Sequence, residues 1–185
     1  DTREFVYTPT DNILTSYVKI NLYKADMILK NIENGRIARR EGTVQSEQGY
    51  YLPQRKKEDG MIDWNRDAVA VNNMVRALTK PYPGAFTVCD GIEFTIWSSR
   101  PVVAEDVCYL YDSEANGTVV SILEDSVLVK CGKNFLLVDS CTNYDRLKEG
   151  MVFQSADYRQ QMQAIIRRHR EKYDTPLSRL VLDEV

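Results

Sequence analysis

A single histidine, His169, stands in 185 residues, and it sits among Arg167, Arg168, Arg170 and Lys172 on the packing stripe of a C-terminal helix. General acid-base chemistry needs a positioned imidazole or two carboxylates with split pKa values. Neither is evident, because Asp59, Asp63 and Asp67 have the neighbours of turn and helix-cap residues. The four cysteines, Cys89, Cys108, Cys131 and Cys141, lie 19, 23 and 10 positions apart without a C-x-x-C pair. That spacing argues against a zinc knuckle or redox dithiol and fits small buried thiols, so no metal is expected. Phosphate-cradling glycine motifs and the nucleophile elbow are also missing. No apolar run approaches the roughly 20 residues of a membrane span, and the charged start Asp1 to Glu4 is unlike a secretory leader. These absences predict a cytoplasmic protein with no membrane partner.

Charge is present in both signs, with 24 Lys and Arg against 27 Asp and Glu. Residues 1–80 carry a balance of +2 and residues 81–185 one of -5. Polyanion binding requires a basic contact face. Nucleic-acid binding by the second half is therefore disfavoured, the cluster Arg167 to Lys172 being the exception.

The periodicity divides the chain in two. Leu14, Tyr17, Val18, Ala25, Ile28, Leu29 and Ile32 recur at helical spacing between a cap at Thr8 or Thr10 and the stop Asn34-Gly35, predicting one long amphipathic helix. Tyr50, Tyr51 and Leu52 form a short extended piece ended by Pro53. A second helix is predicted over about 67–79, buried through Val71, Met74, Val75 and Leu78, and closed by Pro81-Tyr82-Pro83-Gly84. From Ala85 the period becomes 2. Strands are expected at 86–89 and 93–98 around Asp90-Gly91, then at 118–123, 126–130 and 134–139. Five short strands predict a small closed OB-like barrel, since closure removes exposed edges. A last helix, capped by Ser155, carries the stripe Tyr158, Met162, Ile165, Ile166, His169 and Tyr173 and is expected to pack on the barrel. The expected division is thus 1–84, helical segment and linker, and 85–185, barrel and terminal helix.

One stretch has the residue types of a ligand site. Gln54, Arg55, Lys56 and Lys57 lie beside Tyr50, Tyr51 and Trp64 in sequence, and cations next to exposed rings can hold a phosphate while a ring stacks on a base or sugar. A solvated loop paired with Glu58 and Asp59 accounts for the same pattern.

The run 59–87, DGMIDWNRDAVAVNNMVRALTKPYPGAFT, resembles the folate-dependent formyltransferase family, whose members carry a similar I-D-W, a helix with N-x-x-R-A, and P-x-P-G-A-F. The Arg39-Arg40-Glu41 loop, the P-Q-R-K-K-E-D-G approach and Phe94 to Arg100 resemble it in the same order. The likeness covers roughly residues 8–140 and is nearest to the sugar-nucleotide N-formyltransferases.

The resemblance implies an α+β chain: the helical end of a Rossmann-like formyltransferase domain, then the OB-like barrel and a C-terminal helix. The family's catalytic Asn, His and Asp have no counterpart here, so no residue is expected to be catalytic. The chain would need an N-terminal catalytic domain as partner, where an amine attacks the formyl carbon of 10-formyltetrahydrofolate. The residues themselves are expected to hold no cofactor. By resemblance Gln54, Arg55 and Lys56 lie near the acceptor's phosphate or base, with Tyr51 and Trp64 as walls. Asn73, Arg76, Pro83 and Gly84 belong to the structural motif. The acceptor class implied is a small phosphorylated or sugar-nucleotide amine. Methionyl-tRNA, a free binding module and a homo-oligomerisation module are the alternatives. Residues 141–185 match nothing specific, including Pro176-Leu177-Ser178.

Overall fold

The computed structural model describes residues 2–44, 49, 51–104, 108–173 and 177. Tyr50, Pro176 and Ser178 lie outside these, as does the side chain of Cys108. Helix α1 (Ile13–Glu33) starts later than the sequence pattern indicates, because Asn12 makes the stronger cap: its side chain accepts from Thr15 N, and Thr15 Oγ1 accepts from Asn12 N in return. This reciprocal pair satisfies two orphan N–H groups. Thr8 donates its backbone N–H to Asp11 instead. Gly35, at φ 68°, supplies the expected stop. The apolar stripe of α1 is present but open: Leu14, Val18, Leu22, Ile28, Leu29 and Ile32 are each more than half exposed, and the buried residue of the helix is Ser16.

Helix α2 (Ala68–Leu78) follows its cap Asp67, whose carboxylate accepts from Val69 N. It buries Val71 and Val75 as expected. Strands β1 (Ala85–Cys89) and β2 (Ile92–Val102) are joined through Asp90 and Gly91, both at positive φ, the requirement of a type I′ hairpin. With β3 (Val119–Ile122), β4 (Val127–Lys130) and β5 (Phe135–Cys141) they make one antiparallel sheet in the order β1-β2-β5-β4-β3.

The expected closure by strand pairing does not occur, since β1 and β3 are the two edges. A strap at residues 150–154 bridges them. On the β3 side, Val119 N donates to Met151 O and Phe153 N to Gly117 O; on the β1 side, Gln154 N donates to Val88 O and Thr87 Oγ1 to Gln154 O. The edge groups of a curled half-barrel are thereby satisfied without a sixth regular strand.

The core crosses the anticipated boundary at residue 84 without a seam. Ile62, Trp64, Val71 and Val75 pack in one cluster with Phe94, Ile96, Val127, Leu136 and Phe153. Helix α3 (Tyr158–Lys172) is capped by Asp157, which accepts from Gln160 N, while Ser155 turns inward to accept from Trp64 N. Its apolar stripe forms a second small cluster, Met162, Ile165 and Ile166 with Tyr158 and Leu177. The polar contacts of α3 run to the linker before α2, where packing on the barrel was expected.

Gly132 shows how tightly the linker is seated. Its N–H donates to Trp64 O and Arg66 O, and a Cβ there would stand 1.9 Å from Asn65 O. Gly132→Ala is expected to cost more than about 2 kcal/mol in urea unfolding, because backbone and not a side-chain tip must move. Gly42→Ala, with nothing within 4 Å, should be nearly neutral. Equal midpoints for the two variants would contradict this packing.

Candidate functional site

The chain reaches the barrel by descending from an exposed strip at 51–57 to a buried one at 59–64. Ile62 N donates to Phe86 O, Ala156 N donates to Ile62 O, and Met61 bridges to Phe86. Lys57 to Gly60 form a 3-10 turn. Within it Asp59 is 5% exposed, and its Oδ2 accepts both Lys56 N, at 2.7 Å, and Arg168 Nη2 of α3. A buried carboxylate is tolerated when paired and hydrogen-bonded in this way. Two further bonds tie α3 to the same segment: Gln161 Nε2 to Met61 O, and Tyr158 N to Asp63 Oδ2.

Above this anchor Tyr51, Gln54, Arg55 and Lys56 are all exposed. The Arg55 guanidinium lies 3.8 Å from Met162 Sδ, and Tyr51 bridges to Leu177 while its side chain stays open. Lys57 is engaged by Glu93, 2.9 Å from each carboxylate oxygen. Neither Arg55 nor Lys56 has an ion-pair partner among the described residues.

Trp64 stands elsewhere. It is fully buried, stacks on Phe153 at 5.6 Å and donates Nε1–H to Thr87 Oγ1, so it has no surface to offer a ligand. The expected wall role of Trp64 gives way to a core role, since an indole with a satisfied N–H is more stable inside than in a wet cleft. The motif residues are placed as scaffold. Arg76 donates to Asp11 O at 2.6 Å, Thr8 O at 2.9 Å and Asn73 Oδ1 at 3.0 Å, fastening α2 to the entrance of α1. Gly84 has φ 93°, and a Cβ there would lie 2.3 Å from Thr95 Cγ2. Pro83, exposed, leads into that turn.

Asp59 and Arg168 are the pair that residue types alone did not single out. Each has an ordinary local reading, a turn carboxylate and a cation in a basic run, and 109 positions separate them. Asp11 is a second such node. It accepts from Lys19, from Thr8 N and Oγ1, and from Thr15 Oγ1. The Lys19 ammonium, foremost, holds its carboxyl well below the usual carboxylate range.

The described thiols offer no nucleophile at neutral pH. Burial pushes Cys131 up to about 12 and Cys141 up to about 11, and it raises Cys89 as well; only the thiolate attacks. Among the described residues no three His, Cys, Asp or Glu side chains converge as a metal site requires, and no helix is long and apolar enough to cross a membrane. The arrangement can bind and orient.

Residues 55–147, half of the chain, match the family described as Formyl transferase, C-terminal domain. Solved structures of HypX from Aquifex aeolicus share the fold. One four-substitution variant aligns over 95% of this chain and 29% of its own length, with a TM-score of 0.59 and 16% identity. A two-substitution variant aligns over 83% and 25%, with a TM-score of 0.58 and 18% identity. HypX in complex with tetrahydrofolic acid aligns over 83% and 24%, with a TM-score of 0.50 and 18% identity. The chain thus spans less than a third of the length of the proteins it resembles.

The lowered pKa of Asp11 fixes a pH dependence. A carboxyl whose folded pKa lies below its unfolded value stabilises the protein above the unfolded pKa, and that stability is lost as pH falls toward the folded one. The Tm gap between the parent and Asp11→Asn is therefore expected to be full at pH 7 and to shrink as pH falls below about 4. A gap that stays constant on acidification would contradict the role given to Asp11.

Proposed function

The chain belongs to the Formyl transferase, C-terminal domain family, and from that premise we propose that it is the acceptor-recognition part of a 10-formyltetrahydrofolate-dependent formyltransferase. Its acceptor is a small phosphorylated amine, an amino-sugar nucleotide by preference. The observation that carries this reading is the strip 51–57, whose side chains face solvent while its base is fixed at Asp59. Arg55 and Lys56 are the cations there without an acidic partner among the described residues, and Gln54 and Tyr51 add an amide and a ring. A guanidinium with an ammonium neighbour, on a backbone fixed at Asp59, recognises phosphate through charge-assisted hydrogen bonds.

The reactive core belongs to a separate N-terminal domain, and the open apolar face of α1 is the surface such a domain would cover. A face of this extent is otherwise an association liability. There the acceptor's neutral amine attacks the formyl carbon and the folate leaves as the second product. Tetrahydrofolic acid bound to HypX supports a folate as the donor class. The acidic balance of -5 after residue 80 favours a small acceptor over tRNA. The exposed Arg159, Arg167 and Arg170 on α3 are what supports the tRNA reading in second place.

The test uses the full-length gene product. Arg55→Ala should raise KM for a nucleoside-diphosphate-linked amino sugar about tenfold, the scale of one lost charged hydrogen bond, and leave KM for the formyl donor unchanged. Absence of transfer to that amine, with tRNA binding that weakens steeply with salt, would replace this reading by the second.

A further inference from the structure

We propose that α3 is the positioning brace of the acceptor strip, with Arg168 acting through Asp59 to fix the direction in which Arg55 and Lys56 present their charges. The catalytic consequence rests on the acceptor reading above; the geometry does not. Helix α3, at 158–172, lies beyond the stretch 55–147 that matches the family. The Arg168 half of the brace therefore lies outside the matching region and the Asp59 half inside it.

The strip has few other restraints. From Met61 onward the main chain is held by Phe86 and Ala156. Before Met61 the backbone bonds are the local ones of the 3-10 turn and, at the far end of the strip, the bridge of Tyr51 to Leu177, and the side-chain contacts to the rest of the molecule are few. Lys57 pairs with Glu93 across an exposed gap, Arg55 touches Met162, and Asp59 joins the turn to Arg168. Of these the Asp59 contact is the buried one, with side-chain exposure of 5% for Asp59 and 34% for Arg168.

Both of its bonds converge on a single oxygen, Oδ2. Losing Arg168 would leave a buried carboxylate held by one backbone N–H, a state that is costly enough for the side chain to turn out to water. Lys56 N would then lose its acceptor, and the residue whose main chain is freed is the one that carries the second cation. Arg55, one position earlier, would move with it. Glu58 and Gly60 flank Asp59 in the turn, and Arg55 of the strip touches Met162 of α3.

The consequence is separable from general destabilisation. The bonds from Gln161 to Met61 O and from Tyr158 N to Asp63 do not involve Arg168, so α3 stays docked when Arg168 is changed. Arg168 touches neither acceptor nor donor; it is a positioning residue.

The experiment compares Arg168→Met and Arg168→Lys in the full-length gene product. It combines amide hydrogen exchange over 54–66 with steady-state formyl transfer to a nucleoside-diphosphate-linked amino sugar. Arg168→Met is expected to speed exchange at 55–60 about tenfold, the scale of one charged hydrogen bond, with 62–66 unchanged. It should raise KM for the amine by a similar factor without altering kcat or KM for the formyl donor. Arg168→Lys, which keeps the charge and guards against misfolding as an explanation, should restore most of both. Unchanged exchange at 55–60 in Arg168→Met would overturn the brace itself. Faster exchange with an unchanged KM for the amine would overturn the acceptor reading on which the positioning role depends.

Discussion

The point at which the strip leaves the barrel follows from one burial: Trp64 enters the half-barrel and takes the chain on either side with it. Its ring stacks on Phe153 and its N–H is satisfied by Thr87. Its carbonyl accepts from Gly132 and its amide donates to Ser155. Burying an indole of this kind is worth about 3–5 kcal/mol against alanine, a large part of the stability of a small domain. Gly117 and Gly132 make the space. At Gly117, with φ 90°, a Cβ would meet Phe153 O at 2.8 Å and the Trp64 ring at 3.1 Å. The linker is thus built into the wall of the barrel as an integral part of it.

That constraint explains the division of labour along the linker. Once Ile62 and Trp64 are inside, the chain before them must rise to the surface, and Asp59 marks the point of exit. Cations that precede Asp59 are presented to solvent on a backbone with a fixed end, a geometry suited to catching an anion and unsuited to proton transfer. The same economy holds at the other end of the helical segment. Arg76 and Asp11 bind α1 to α2 through its first turn, so the rest of α1 projects its apolar face outward, available to a larger partner.

The elements legible in the sequence are those set by neighbours a few residues apart. Asp67 at the start of α2, Val71 and Val75 as a buried face, and Asp90-Gly91 as a hairpin turn each depend on local geometry, and each stands within a residue of where the pattern puts it. Long-range packing decided the others. Trp64 beside a basic run has the composition of a ligand wall, and only the barrel closing over it makes it core. Ser155 is a good cap by type, but Trp64 N claims it, and Asp157 caps α3 instead. The stripe of α1 is correct in period and, apart from Tyr17 against Tyr82, lies open among the described residues, because period reports amphipathicity and not the identity of what lies opposite. The pair of Asp59 and Arg168 had no sequence signal, since each residue separately fits a turn or a solvated helix face.

The central claim is that the strip 51–57 meets the acceptor. Its most direct test is chemical footprinting of the full-length gene product with phenylglyoxal, read by peptide mass spectrometry. A saturating nucleoside-diphosphate-linked amino sugar should shield Arg55 from modification while leaving Arg159 on the outer face of α3 as reactive as before, and tetrahydrofolate alone should shield neither. Arg55 modified at the same rate with and without the amine, under conditions where formyl transfer proceeds, would contradict the account.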